Sequence, residues 1–216
     1  MMLEQSFFDR DPCKVARALL GKVIRKRYQG RWLAARIIET EAYYLNEKGS
    51  HSSLGFTEKR KALFMPAGTI YMYYARGKDS LNVSARGKGN AVLIKSAYPF
   101  FDRRSPQSNL GIMQNLNPAR NGKMRPINRL CHGQTLLCTA LNICLPDWDQ
   151  QQFDHTQFYF DDADNTVSTI IQTTRLGIPV GRDEHKPYRF VDHSYAAHCT
   201  KNPLTQRKPA YTLLPR

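Results

Sequence analysis

No apolar stretch among the 216 residues approaches the roughly 18 that a membrane-crossing helix needs, and the mean hydropathy is -0.54. A GxxxxGK[ST] segment is missing, as is a glycine-rich turn between strand and helix, so no phosphate cradle for a nucleotide is offered. A GxSxG elbow for acyl transfer is missing too. Cysteines are few and unpaired in pattern: Cys13, Cys131, Cys138, Cys144 and Cys199 are odd in number and lack the repeated CxxC of a zinc ribbon. His193, His198 and Cys199 do not add up to a metal centre, so neither metal nor cofactor is expected. Met1 to Pro12 contains no apolar leader core, and free thiols suit a reducing compartment, so a cytoplasmic location is expected.

Acid is the other scarcity. Asp plus Glu total 18 against 32 Lys plus Arg, giving +14 and a pI near 9.8. Such an excess calls for a polyanionic partner, nucleic acid foremost, with a solvated basic surface as the plain alternative. Residues 1–108 carry +11 and residues 109–216 carry +3, so the basic face is built mainly by the first half.

Along the chain, Asp11-Pro12 reads as a cap and first position of a helix bearing Val15, Ala18 and Leu19, stopped by Gly21. Lys22 to Tyr28 and Trp32 to Tyr43 read as strands about a Gln29-Gly30 turn. A polar loop over 44–62 is long enough to suggest function. Three strands then form a meander: Thr69 to Tyr74, Leu81 to Ala85 and Ala91 to Ala97, joined by basic turns at Gly77-Lys78 and at Arg86-Gly87-Lys88-Gly89. A basic hairpin turn can enter a DNA groove or merely be solvated. Residues 102–126 read as loop, Gln134 to Leu141 as helix, and Val167 to Thr174 and Tyr188 to Val191 as strands. Residues 1–200 are read as one domain. Residues 201–216 are read as a basic tail whose composition predicts partial disorder.

On the strand through Glu39-Thr40-Glu41-Ala42-Tyr43, alternation puts Glu39, Glu41 and Tyr43 on one face. Acids there are costly unless paired or functional: each either meets an Arg or acts as a carboxylate base beside an aromatic platform. Tyr71 and Tyr73 also share a face, either as core packing with phenols at the rim or as a stacking surface for a flat base. His51 in the loop and Asn82 in the next strand could be surface and turn residues, or hydrogen-bonding groups for a base edge.

Together these residues resemble the alkylpurine (3-methyladenine) DNA glycosylases, the kind without a helix-hairpin-helix. The resemblance runs from about Phe7 to Val191. It includes Phe7-Phe8-Asp9, Glu39-Thr40-Glu41-Ala42-Tyr43, Gly68-Thr69-Ile70-Tyr71-Met72-Tyr73, Asn82-Val83-Ser84, Leu130-Cys131, Arg175-Leu176-Gly177 and Lys186-Pro187. It implies that Glu41 activates the attacking water, that Tyr43 and Tyr73 sandwich a flipped base, and that His51 contacts the base edge. It further implies that Asn82 clashes with the exocyclic amino group of guanine. Lys95 stands where the family has an Arg that helps position the water, and would be a less geometrically fixed clamp. With no dedicated lysine nucleophile in the pattern, base removal without strand cleavage is expected.

There are departures. The family's hairpin-tip Tyr falls at Arg76, next to Gly77, with Tyr74 two residues earlier and the following turn one residue shorter. Arg76 or Tyr74 is therefore the expected wedge into the duplex, with Lys78 as a groove contact. The loop from Glu41 to His51 is one residue shorter, and the Pro and Lys that often follow Gly133 are Gln134 and Leu136. The expectation is an α+β fold: a single compact domain with a curved, mostly antiparallel sheet, flanking helices and a projecting DNA-binding β-hairpin. The expected protein is a cofactor-free, monomeric, monofunctional DNA repair glycosylase acting on damaged purines in double-stranded DNA. A non-enzymatic nucleic-acid-binding module of the same fold is the alternative, and a pure binder gains nothing from Glu41 in a basic groove.

Overall fold

The computed structural model describes residues 1–75, 77–163, 166–205 and 210–215. A short helix α1 (Gln5–Phe8) precedes α2 (Pro12–Leu19). The start of α2 follows from its cap: the Asp11 carboxylate accepts from the backbone N–H of Cys13 at 2.9 Å and of Lys14 at 3.2 Å. Pro12 fills the first position, where a missing N–H costs nothing. Strand β1 (Val23–Tyr28) turns through Gln29 and Gly30, both at positive φ, as a two-residue hairpin requires, and returns as β2 (Arg31–Tyr43). Two short 3-10 turns, His51–Leu54 and Glu58–Phe64, lead to β3 (Ile70–Ala75), β4 (Lys78–Ser84) and β5 (Ala91–Pro99). Helices α3 (Leu110–Leu116), α4 (Ile127–Leu130), α5 (Gln134–Leu141) and α6 (Leu145–Trp148) follow. The chain ends with β6 (Phe158–Asp161), β7 (Thr169–Thr173), β8 (Arg189–Asp192) and β9 (Tyr211–Pro215).

The strands form one open antiparallel sheet in the order β3-β4-β5-β2-β8-β7-β9. Strand β2 is where it branches. Its first half pairs with β1, which also pairs with β6, and its second half pairs with β8. Helices α2 and α5 cover one face, where Val15, Leu19, Leu137 and Leu141 join Ile37, Val83 and Ile94 in the main core. A smaller cluster on the other face contains Ile38, Ile171, Val191 and Cys199. The predicted α+β class, with one antiparallel sheet and flanking helices, is the class observed. Among the described residues no helix is long and apolar enough to cross a membrane.

One irregularity decides what the sheet can do. Leu33, Ala35 and Ile37 of β2 point into the main core, but the next core-facing positions are Thr40, whose hydroxyl donates to the Ala16 carbonyl of α2, and Ala42. The alternation slips by one residue where the pairing with β5 shifts register around Glu39 and Ser96. Strand β5 slips with it, since Ala97 and Ile94 both face the core. Without the slip, Glu39 and Glu41 would continue the face of Ile37 and lie among aliphatic side chains. With it, Glu39, Glu41, Lys95 and Ser96 all emerge on the opposite face.

Three segments differ from the sequence reading. The stretch read as loop over 102–126 contains α3, whose Leu110, Met113 and Leu116 recur at helical spacing between Pro106 and Pro118. Strand β6 was not anticipated, because its residues are all buried and show no alternation. The partial disorder predicted for the tail does not extend to Tyr211–Pro215, which pairs along β7 and sets Leu214 against the core.

Candidate active site

On the face opposite α2 and α5, the sheet floors a cavity of about 490 Å³. The meander supplies Tyr71 and Tyr73 from β3, Asn82 from β4 and Lys95 from β5, and Tyr43 comes from the end of β2. The rim is made by the 49–54 segment with His51, the start of α5 with Gln134, and the loop 176–182. Sequence reasoning named Glu41, Lys95, Tyr43, His51, Tyr73 and Asn82. The structure brings all six together.

Glu41 is fully buried beneath this cavity, and its carboxylate is held from three sides. Oε1 accepts from the Leu176 backbone N–H at 2.9 Å; Oε2 accepts from the Tyr43 hydroxyl at 2.7 Å and lies 3.4 Å from Lys95 Nζ. Burial, and then the adjacent Glu41 charge, raise the Tyr43 pKa well above the ordinary tyrosine value. Tyr43 therefore stays a neutral phenol that donates to the carboxylate. Glu39 has a different fate. It accepts from Arg189 Nε at 2.6 Å, Ser96 Oγ at 2.5 Å and the Thr200 N–H at 3.0 Å, with both members of the ion pair at 0% exposure. Of the two readings open for Glu39, the arginine pair is the one observed.

The aromatic walls are braced from behind. The Arg175 guanidinium lies 4.6 Å from the Tyr43 ring centroid and is itself paired with buried Glu47 at 2.9 Å. Gln134 Nε2 donates to the Tyr73 hydroxyl at 3.1 Å and to Ser80 Oγ at 2.9 Å. His51 packs edge-on to Tyr73, with centroids 4.5 Å apart, and its Nδ1 meets the Tyr71 hydroxyl at 3.1 Å. Loss of hydration against these rings, and then the charge of Arg60, lower the His51 pKa below its ordinary value and favour the neutral imidazole. Asn82 Nδ2 donates to the Tyr71 carbonyl at 3.2 Å, across the β3–β4 pair.

The groups proposed for duplex contact sit apart from the floor. Tyr74 is 69% exposed on β3, and Lys78 is exposed at the start of β4. Gly77 takes φ +79 in the turn between them, a left-handed conformation suited to glycine. Arg76 lies outside the described residues. Sequence reasoning assigned no role to Arg175, Gln134 or the Leu176 N–H. Glu41 and Leu176 are 135 positions apart, and a backbone donor carries no side-chain signal.

The arrangement offers a buried carboxylate, a cation and a phenol at the floor of an aromatic-walled cavity wide enough for a flat heterocycle. Residues 6–196 match the family described as methylpurine-DNA glycosylase (MPG). A protein of Pseudomonas aeruginosa strain UCBPP-PA14, named "Putative 3-methyladenine DNA glycosylase", is 62% identical over 208 residues, covering 96% of this chain and 87% of its own. Proteins with the same name from Pseudomonas syringae pv. tomato and Clostridium beijerinckii are 61% and 31% identical. They cover 94% and 88% of this chain, and 91% and 95% of their own.

Proposed function

The chain belongs to the methylpurine-DNA glycosylase family, and from that premise we propose that it hydrolyses the N-glycosidic bond of alkylated or deaminated purines in double-stranded DNA. The substrate class is that of 3-methyladenine, hypoxanthine and ethenoadenine. The observation that carries the reading is Glu41: a fully buried carboxylate under an aromatic cavity in a protein of charge +14. A nucleic-acid binder would be weakened by that charge, whereas a hydrolase needs it.

The bond to be cut is shielded inside the duplex, so the nucleotide turns out of the stack into the cavity. Unstacking costs a few kcal/mol, least at a damaged base, and each stacking contact with an aromatic ring returns about 1–3 kcal/mol. Tyr43 and Tyr73 form the walls. The His51 ring, engaged at Nδ1 by Tyr71, presents Nε2 to the base edge, and Asn82 excludes the guanine amino group. As the base leaves, positive charge grows on the sugar. Glu41 stabilises it and orients a water for attack at C1′. Leu176 and Tyr43 hold the carboxylate in one orientation, and the Lys95 ammonium lies 3.4 Å from its Oε2. Water is the nucleophile of this step, and no covalent enzyme intermediate forms.

The test is a panel of duplexes, each carrying one hypoxanthine, ethenoadenine, methylated purine or normal purine, with released free base identified by chromatography. Release from lesion duplexes alone supports the reading. Tight binding to every duplex with no base released from any of them overturns it.

A further inference from the structure

Lys95 is placed for chemistry that an arginine could not perform. Its side chain is 12% exposed and lines the cavity, and its Nζ lies 3.4 Å from Glu41 Oε2. Elsewhere in the molecule buried ion pairs are tighter, at 2.6 Å for Arg189–Glu39 and 2.9 Å for Arg175–Glu47. The Glu41 charge is already shared with the Leu176 N–H and the Tyr43 O–H. The lysine is thus loosely held, on a flexible four-carbon arm. Guanidinium cannot be deprotonated in a protein, whereas a lysine amine can be, and it condenses with carbonyls.

The inference rests on the hydrolysis proposed above. That step leaves an abasic deoxyribose whose ring opens to an aldehyde at C1′, the carbon that a Glu41-held water attacks. An amine lying against the same carboxylate oxygen is within reach of that carbon. Against the expectation of base removal without strand cleavage that the family resemblance gave, we propose that the protein has a second activity, cleavage of the strand at abasic sites by β-elimination, with Lys95 as nucleophile and Glu41 as proton carrier.

In the first step the Glu41 carboxylate takes a proton from the Lys95 ammonium, and the amine forms a C–N bond to C1′. The resulting hydroxyl leaves as water with the proton returned by Glu41, giving an iminium. Glu41, again a carboxylate, removes a proton from C2′. That electron pair becomes the C2′–C3′ double bond as the C3′–O bond breaks and the 3′ phosphate departs. Water then hydrolyses the conjugated iminium, freeing Lys95 and leaving an unsaturated aldehyde on one strand end and a 5′ phosphate on the other. No oxidant or reductant is consumed.

The test uses the full chain and a duplex carrying one pre-formed abasic site, so that base excision is not required and the two activities fail independently. Borohydride is added to reduce any imine, and the adduct is digested and located by mass spectrometry. The expected result is a covalent protein–DNA adduct on Lys95, with strand cleavage that needs no alkali. In Lys95→Arg both are expected to drop to the level of a control without protein, while the variant still unfolds cooperatively and binds the abasic duplex. No adduct, an adduct on another lysine or on the Met1 amine, or equal trapping by Lys95→Arg overturns the proposal. Should Lys95→Arg fail to fold, the mapped position in the unaltered protein decides alone.

Discussion

Glu39 and Glu41 share a strand, a face and complete burial, yet differ in what meets them. Glu39 is neutralised by Arg189, whose Nη2 also donates to the Lys201 carbonyl at 2.6 Å. Among the described residues Glu41 has a longer contact to Lys95 and two neutral donors, which is why the proposed chemistry is assigned to it rather than to Glu39. The sequence made both acids visible through the period of a strand, but the charged partner of each comes from more than fifty positions away. Tyr71 and Tyr73 were ambiguous between core and platform for the same reason. Tyr71 is in fact both, packed with Ala62, Leu63 and Ala91 and also facing the cavity. Two predictions belong to this scale. Replacing Arg60 by Gln removes a positive charge that depresses His51, so the His51 titration followed by NMR should move up toward 6.5. The sign for stability follows: a depressed imidazole favours the fold above its unfolded value and loses that contribution as pH falls through the folded one. An unmoved titration would remove Arg60 as a cause. Asn82→Ser should let guanine enter the pocket, read as guanine release from undamaged duplex. If only damaged purines are still released, Asn82 is not what excludes it.

At the scale of elements, the paired slip in β2 and β5 is the feature on which the site depends, and nothing in the residue types announces it. The alternation read from the sequence gave the right relative orientation of Glu39, Glu41 and Tyr43 because the core-facing set changes after Ile37, and the slip around Glu39 leaves these three on one face. It could not say that Ile37, two positions earlier, faces the other way. Helix α2, the β1–β2 hairpin, the meander and α5 were legible because caps, turn glycines and period all agreed. Strands β6 and β9 were not, because each is short and stabilised by what it packs on rather than by its own pattern, and the helical spacing of α3 was masked by the Pro, Asn and Arg residues around it. The 176–186 loop is a second dependent element. Arg182 donates through Nε to the Lys48 carbonyl at 2.8 Å, the Lys48 N–H donates to Asp183 at 2.9 Å, and Gly49 sits beneath them. A Cβ on Gly49 would stand 2.9 Å from the Arg182 carbonyl oxygen and 3.0 Å from Ile178 Cγ2. Gly49→Ala should therefore displace this loop at a cost of about 1–3 kcal/mol, and with it the Leu176 N–H that fixes Glu41. Single-turnover base release should fall while affinity for the duplex changes little. Release at the original rate would show that the loop does not hold the carboxylate.

The whole molecule is an asymmetric cation, with +11 in the half that supplies β1 to β5 and +3 in the remainder. Exposed Lys59, Lys61, Arg86 and Lys88 belong to loops and turns of that first half, as does His51 at the cavity rim, and exposed Lys78 opens β4. If that half meets the phosphates, log affinity for duplex DNA should fall linearly with log salt, by about 0.9 per phosphate neutralised. A slope near zero would point instead to a small free ligand, for which one or two cations suffice. The account turns finally on whether Glu41 does chemistry or merely shapes the pocket. The decisive measurement is single-turnover release of hypoxanthine from a duplex by Glu41→Gln, alongside the affinity of the same variant for the same duplex. The predicted result is a loss of about a hundredfold to ten-thousandfold in rate with binding nearly unchanged, since the amide keeps the shape but cannot take a proton. Release at the rate of the unaltered protein, or a parallel loss of binding and rate, would contradict it.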